Sequence, residues 1–87
     1  MNVEKLKNII EAILLASYEP LSVDKLHRII TSKVNTSKSD ILSAINDLKT
    51  DYENKDIEIT KVASGFRIQA KSEIGDYLNI MFAERTP

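Results

Sequence analysis

Between Asn54 and Ile57 the apolar residues stop recurring every three or four positions and begin to alternate. A helical period that gives way to a strand period restricts the chain to a helical block followed by a β-ribbon. Three helices are predicted before the switch. Val3 to Ser17 carries Leu6, Ile9, Ile10, Ile13 and Leu14 at helical spacing, and Ala12, Leu15 and Ala16 widen its apolar area. Tyr18-Glu19-Pro20 ends it, because the residue before a proline is pushed out of the helical region. A short second helix follows Ser22 as N-cap, with Asp24 in its first turn and Leu26, Ile29 and Ile30 on its buried side. Thr31 to Ser37 reads as a loop, and Ser37 with Asp40 resembles a capping box. The third helix runs from about Lys38 to Asn54, with Ile41, Ala44, Ile45, Leu48 and Tyr52 inward.

After the switch, Ile57 and Ile59 alternate with Glu58, Thr60 and Lys61, and Phe66, Ile68 and Ala70 alternate with Arg67 and Gln69. Ala63-Ser64-Gly65 supplies the turn, with Gly65 free to take positive φ. A fourth helix is expected after the cap Ser72, with Ile74, Tyr77, Leu78, Met81 and Phe82 on one side. Helix, helix, helix, hairpin, helix is the winged helix-turn-helix plan. The fold class is α+β, mainly α: a three-helix core, a two-stranded hairpin and a C-terminal helix in one domain over residues 1–87. Ile13, Leu26, Ile45, Leu48 and Phe66 are expected to be buried where the helices meet the wing.

Few kinds of chemistry are open to such a chain. An apolar share of 43% with 29% charged residues is the balance of a folded domain. The absence of cysteine excludes disulfides, thiol catalysis and cysteine-based zinc modules. His27 is the one histidine, which excludes the usual two-histidine metal sites. Asp47 and Asp51 stand four apart among lysines, the pattern of a solvated helix face. Ser64-Gly65 is a turn, with no strand-to-helix setting for a nucleophile. No catalytic group, cofactor or metal is expected. No uncharged run exceeds that of Ala12 to Tyr18, far short of the roughly 20 residues that span a bilayer. The N-terminus carries Glu4 at once and no cleavage pattern, so a signal peptide is not expected and the expected location is the cytoplasm.

A winged helix invites a DNA-binding reading, which the third helix can test. With its apolar stripe inward, its outer face presents Ser39, Ser43, Asn46, Asp47, Thr50 and Asn54, flanked by Asp40 and Asp51. Lys38 and Lys49 fall toward the edge of the buried stripe. DNA affinity comes largely from lysine and arginine on phosphates, so this face repels a duplex. The wing carries Lys61, Arg67 and Lys71, which would be the DNA contacts of the alternative reading, a fragment of a sequence-specific winged-helix regulator.

An acidic outer face points instead to a protein-interaction module. Leu15 lies near Glu4, Asn8 and Glu11, outside the main stripe of the first helix, and Ile80 lies among Glu73, Asp76 and Glu84. The first helix is apolar over more than half its circumference, and such a helix has protein on more than one side. A homodimer is therefore expected, with Ala12, Leu15, Ala16 and Ile80 as the candidate interface.

Two stretches carry a resemblance. Ile9-Ile10-Glu11-Ala12-Ile13-Leu14-Leu15-Ala16-Ser17-Tyr18-Glu19-Pro20-Leu21-Ser22 resembles the opening helix and Glu-Pro-Leu-Ser turn of the segregation and condensation protein B family. Ile59-Thr60-Lys61-Val62-Ala63-Ser64-Gly65-Phe66-Arg67-Ile68-Gln69 is similar to that family's wing, although Ala63-Ser64-Gly65 stands where the family often has paired glycines. Glu84-Arg85-Thr86-Pro87 is similar to the junction before the family's second winged helix, and the loop from Thr31 to Lys38 is divergent. The resemblance implies a non-enzymatic accessory subunit of the bacterial SMC–kleisin (condensin-like) complex, acting in chromosome condensation and segregation. It also implies homodimers, binding to the kleisin subunit (segregation and condensation protein A) and through it to SMC, and a chain that is the N-terminal half of a two-domain protein.

Overall fold

Three side chains start the three leading helices. The computed structural model of the chain describes residues 2–85, and in it Asn2 Oδ1 accepts from the Lys5 N–H at 2.7 Å to open α1 (Val3–Ala16). Ser22 Oγ accepts from Lys25 N at 3.1 Å and opens α2 (Val23–Thr31). Ser37 Oγ accepts from Asp40 N at 3.0 Å and opens α3 (Lys38–Asp51). Each oxygen satisfies a first-turn donor that has no partner within its helix. The hairpin follows as β1 (Ile57–Val62) and β2 (Gly65–Ala70), antiparallel, with Ile59 opposite Ile68 and Val62 opposite Gly65. A 3-10 turn over Ser72–Ile74 leads into α4 (Gly75–Glu84).

The core forms where α1, α2 and α3 converge under the wing. Ile10, Leu26, Ile41 and Ile45 are fully buried, with Leu6, Leu14, Ile30, Leu48, Tyr52, Ile59 and Phe66 around them. Leu21, in the link after α1, exchanges two backbone hydrogen bonds with Phe66 at 2.9 and 2.8 Å, and so holds the link against β2. Half-buried His27 has Nε2 3.1 Å from the Thr36 carbonyl oxygen, which ties α2 to the loop before α3.

Four expectations are corrected. Ile13 is only half-buried, because α2 leaves its flank of α1 partly open. The third helix ends at Asp51, with Tyr52 as C-cap and a turn where Asn54 was expected to be helical. Ser72 opens the 3-10 turn and caps nothing, so α4 begins without a side-chain cap. Ile29, expected on the buried side of α2, is 38% exposed, because it lines the open groove between α1 and α2. No residue of α4 is buried, and its substantial packing is with the 3-10 turn alone. The radius of gyration, 14.7 Å, exceeds the ~12 Å of a compact chain of this length, as a projecting helix requires.

Two ionisable groups tie α1 to α3. The Tyr52 hydroxyl donates to the Glu11 carboxylate. Burial first, and then Glu11, push its phenol well above the ordinary value of 10.0. Lys7, one of the few charged side chains turned inward, has Nζ 2.7 Å from Asp51 Oδ2 and 3.2 Å from Glu4 Oε1. The hydrogen bond to Asp51 holds its ammonium above the ordinary 10.5, with desolvation opposing. Both groups bind their proton more tightly in the folded state. Their contributions are complete below the ordinary values and are lost as pH rises through the raised ones. The melting temperature is therefore expected to fall as pH passes 10.0, and to fall less steeply in Tyr52→Phe. Parallel melts of parent and variant across that range check this.

Candidate protein-interaction surfaces

The third helix shows solvent what its sequence promised. Ser39, Asp40, Ser43, Asn46, Asp47, Thr50, Asp51 and Asn54 are all exposed. Of its lysines, Lys38 pairs with Asp24 at 2.8 Å, and Lys49 Nζ stands 5.8 Å from the centre of the Phe66 ring. The Lys38 partner holds the Asp24 carboxyl below its usual range. These bases are engaged with the domain itself, as is Asp51 through Lys7, while Asp40 and Asp47 face outward.

The three basic residues of the wing are placed unequally. Arg67 is exposed, and Lys61 is exposed with its Nζ 5.8 Å from the Phe66 ring centre. Lys71 is half-buried and donates to the carbonyl oxygens of Tyr52 and Glu53 at 3.0 and 3.1 Å. Its charge therefore caps the C-terminal end of α3, where cations are favoured. Between α3 and the wing lies a hollow of about 300 Å3, lined by Leu42, Val62, Phe66, Lys61 and the small residues of the turn. Leu42 and Val62 are 42% and 39% exposed. Sequence reasoning missed both, since a leucine beside a buried stripe and a valine in a strand look ordinary.

The candidate interface residues are all on the surface. Ala12 and Ala16 are exposed one turn apart, and Leu15 is 63% exposed beside them. Ile80 is 60% exposed on α4, which has no substantial packing against α1. The structure thus leaves these residues as two separate exposed surfaces within one chain. It adds a third feature, an apolar groove of about 210 Å3 between α1 and α2, lined by Ile9, Ile13, Ile29, Ile30, Lys33 and Val34. No single helix pattern reveals it, because its walls come from two helices and the link after the second.

Among the described residues, no group of three His, Cys, Asp or Glu is arranged to hold a metal ion. No described helix is long and apolar enough to cross a membrane.

The architecture and the wing sequence can be compared with known proteins. The model of the family described as "Segregation and condensation complex subunit ScpB" matches residues 8–87. The chain belongs to the ScpB family. Among curated ScpB proteins, a segregation and condensation protein B homolog of Coxiella burnetii is 33% identical over 79 residues, covering 91% of this chain and 38% of that protein. Segregation and condensation protein B of Acetivibrio thermocellus is 29% identical over 85 residues, covering 94% of this chain and 41% of the relative. The chain thus spans about two fifths of the length of these curated relatives.

Solved structures agree on the fold. ScpB from Mycobacterium tuberculosis superposes with a TM-score of 0.84 at 16% identity, over 100% of this chain and 54% of that one. The dimer of an ScpB N-terminal domain complexed with an ScpA peptide superposes with a TM-score of 0.79 at 23% identity, over 91% of this chain and 96% of that chain. The winged helix of this chain is that of the ScpB structures. Of the junction stretch Glu84-Arg85-Thr86-Pro87, the last two residues lie outside the described residues.

Proposed function

We propose that this chain is the N-terminal winged-helix domain of a two-domain protein, an accessory subunit of the bacterial SMC–kleisin complex in chromosome condensation and segregation. It performs no catalysis and acts by binding: to a second copy of itself, and to the kleisin subunit, segregation and condensation protein A, through which it joins SMC. Its place is the cytoplasm, at the nucleoid through the complex. The observation that carries this reading is the exposed apolar helical surface, with Ala12, Leu15 and Ala16 on α1 and Ile80 on α4, in a domain whose third helix offers acids where a duplex would lie. Membership of the ScpB family supports it, as does the fold shared with an ScpB N-terminal domain that is a dimer complexed with an ScpA peptide.

The test is co-purification of the protein with segregation and condensation protein A, beside an electrophoretic shift on duplex DNA at low salt. Capture of the kleisin is expected, undiminished in Lys61→Ala and Arg67→Ala, with no tight shift. Tight, salt-sensitive duplex binding that is lost in Arg67→Ala would overturn the reading in favour of a sequence-specific regulator.

A further inference from the structure

The acids and the bases of α3 lie on opposite sides of the helix. At helical spacing Lys38, Leu42 and Lys49 fall within about 40° of one another, and Asp40, Asp47 and Asp51 lie about 160–180° round from them. The first side turns toward the wing: Leu42 lines the hollow there, and the Lys49 ammonium stands by the Phe66 ring. The acidic side of α3 is therefore not the side that borders the hollow.

The close approach at the turn keeps this hollow apolar and open. Val62 stands opposite Gly65, which has no side chain to cover it. Nothing larger fits at Gly65, because a β-carbon there would collide with the backbone of Leu21. Leu42 reaches the same space from α3 and remains exposed, and the buried Phe66 ring forms part of the lining. A cavity of about 150 Å3 holds a benzene ring. The hollow, at about 300 Å3, accommodates one large aliphatic or aromatic side chain.

Charge says which kind of segment would carry that side chain. Lys49 Nζ and Lys61 Nζ each stand 5.8 Å from the centre of the Phe66 ring. Neither is in an ion pair among the described residues, and no Asp or Glu lines the hollow. Asp24, next to Val23 in the chain, is already held by Lys38 at 2.8 Å. Two cations beside an apolar hollow, with no counter-charge from the domain itself, are complementary to an apolar side chain flanked by carboxylates. Duplex DNA is the poorer occupant. Its phosphates would leave Leu42 and Val62 uncovered, and would meet Asp40 and Asp47 on the outer side of α3.

We propose that the hollow between α3 and the wing is a docking site for an acidic peptide segment of a protein partner. One large apolar side chain enters between Leu42 and Val62, and the carboxylates beside it meet Lys49 and Lys61. The site is additional to the contacts with a second copy and with the kleisin, and does not depend on them.

The probe is the end-blocked peptide Asp-Glu-Phe-Asp-Glu, titrated into the chain with its leucine and valine methyl groups labelled for NMR. Saturable shifts at Leu42 and Val62 are expected, with a dissociation constant of about 1 mM or below. Replacing the peptide's Phe by Ser, or its four acids by their amides, is expected to weaken binding at least about 10-fold. Lys61→Glu is expected to do the same and to bind Lys-Arg-Phe-Lys-Arg instead, a reversal that a structural role would not produce. Its melting curve should match the parent's, because Lys61 is exposed. Arg67→Ala, which does not touch the lining, should leave the titration unchanged. Absence of saturable shifts at Leu42 and Val62, equal binding of the amide peptide, or shifts confined to α1 and α4 would each overturn the proposal. Loss of kleisin capture in Lys61→Glu would make the hollow part of the kleisin contact and overturn its independence. Tight duplex binding that is lost in Lys61→Glu would assign the hollow to nucleic acid and overturn the peptide reading.

Discussion

Ile45→Ala is expected to destabilise the domain by about 2–5 kcal/mol, the range for removing a buried aliphatic side chain and leaving a cavity. Ile45 is 1% exposed on the inner side of α3, and the buried Leu26, Ile41 and Leu48 belong to the same cluster. Collapse into the cavity is limited because three helices and the wing fix its walls. Domains are stable by only about 5–15 kcal/mol, so the loss is a large share of the total. Chemical denaturation of parent and variant measures it through a lower midpoint at unchanged slope. A midpoint equal to the parent's would mean that α3 turns another side to the core.

Gly65→Ala is expected to cost about 3 kcal/mol or more, although it adds a single methyl group. Two independent constraints meet at this residue. Its φ is +143°, a conformation that residues with a β-carbon rarely adopt. A β-carbon there would also overlap the Leu21 carbonyl and the Ser22 backbone nitrogen. The overlap arises because the Leu21–Phe66 pair draws the link after α1 down onto the start of β2. The variant must open that pair or bend the hairpin, so two backbone hydrogen bonds are at stake. Faster amide exchange at Leu21 and Phe66, with a lowered melting temperature, is the expected result. A parent-like melt with both amides still protected would refute the close-approach account. At Gly75, where nothing stands within 4 Å of an added β-carbon and φ is ordinary, no such penalty is expected.

The core of α3 was legible because its information is local. Ile41, Ala44, Ile45, Leu48 and Tyr52 repeat at helical spacing, and all five are buried. The two serine caps were legible for the same reason, since a side-chain oxygen reaches an amide three residues away with no help from the rest of the fold. Gly65 was legible as a turn residue, but the backbone of Leu21 lying against it was not. That contact joins positions far apart in the chain and is made only once α1 and β2 are packed. The acidic outer face of α3 followed from its phase, which left Asp40, Asp47 and Asp51 no other side to occupy. Lys71 did not: as a sequence position it is one more wing cation, and its bonds to the Tyr52 and Glu53 carbonyls exist because the strand returns beside the end of α3.

The fourth helix marks the boundary between the two kinds of information. Its apolar stripe is written in the spacing of Ile74, Tyr77, Leu78, Met81 and Phe82, and that spacing is enough to make an amphipathic helix. Nothing in the spacing says what the stripe faces. The same pattern serves a helix laid on its own core and a helix held out for another surface. Similarly, Ile9 and Ile13 read as core residues until α2 is seen to leave their flank open as a groove. Periodicity, capping and turn chemistry are properties of a few neighbouring residues, so the chain alone determined its main elements, their order and the inner side of α3. Which apolar sides remain uncovered depends on how many elements reach them. Only the packing of the whole domain decided that, leaving α4 and the α1–α2 groove exposed.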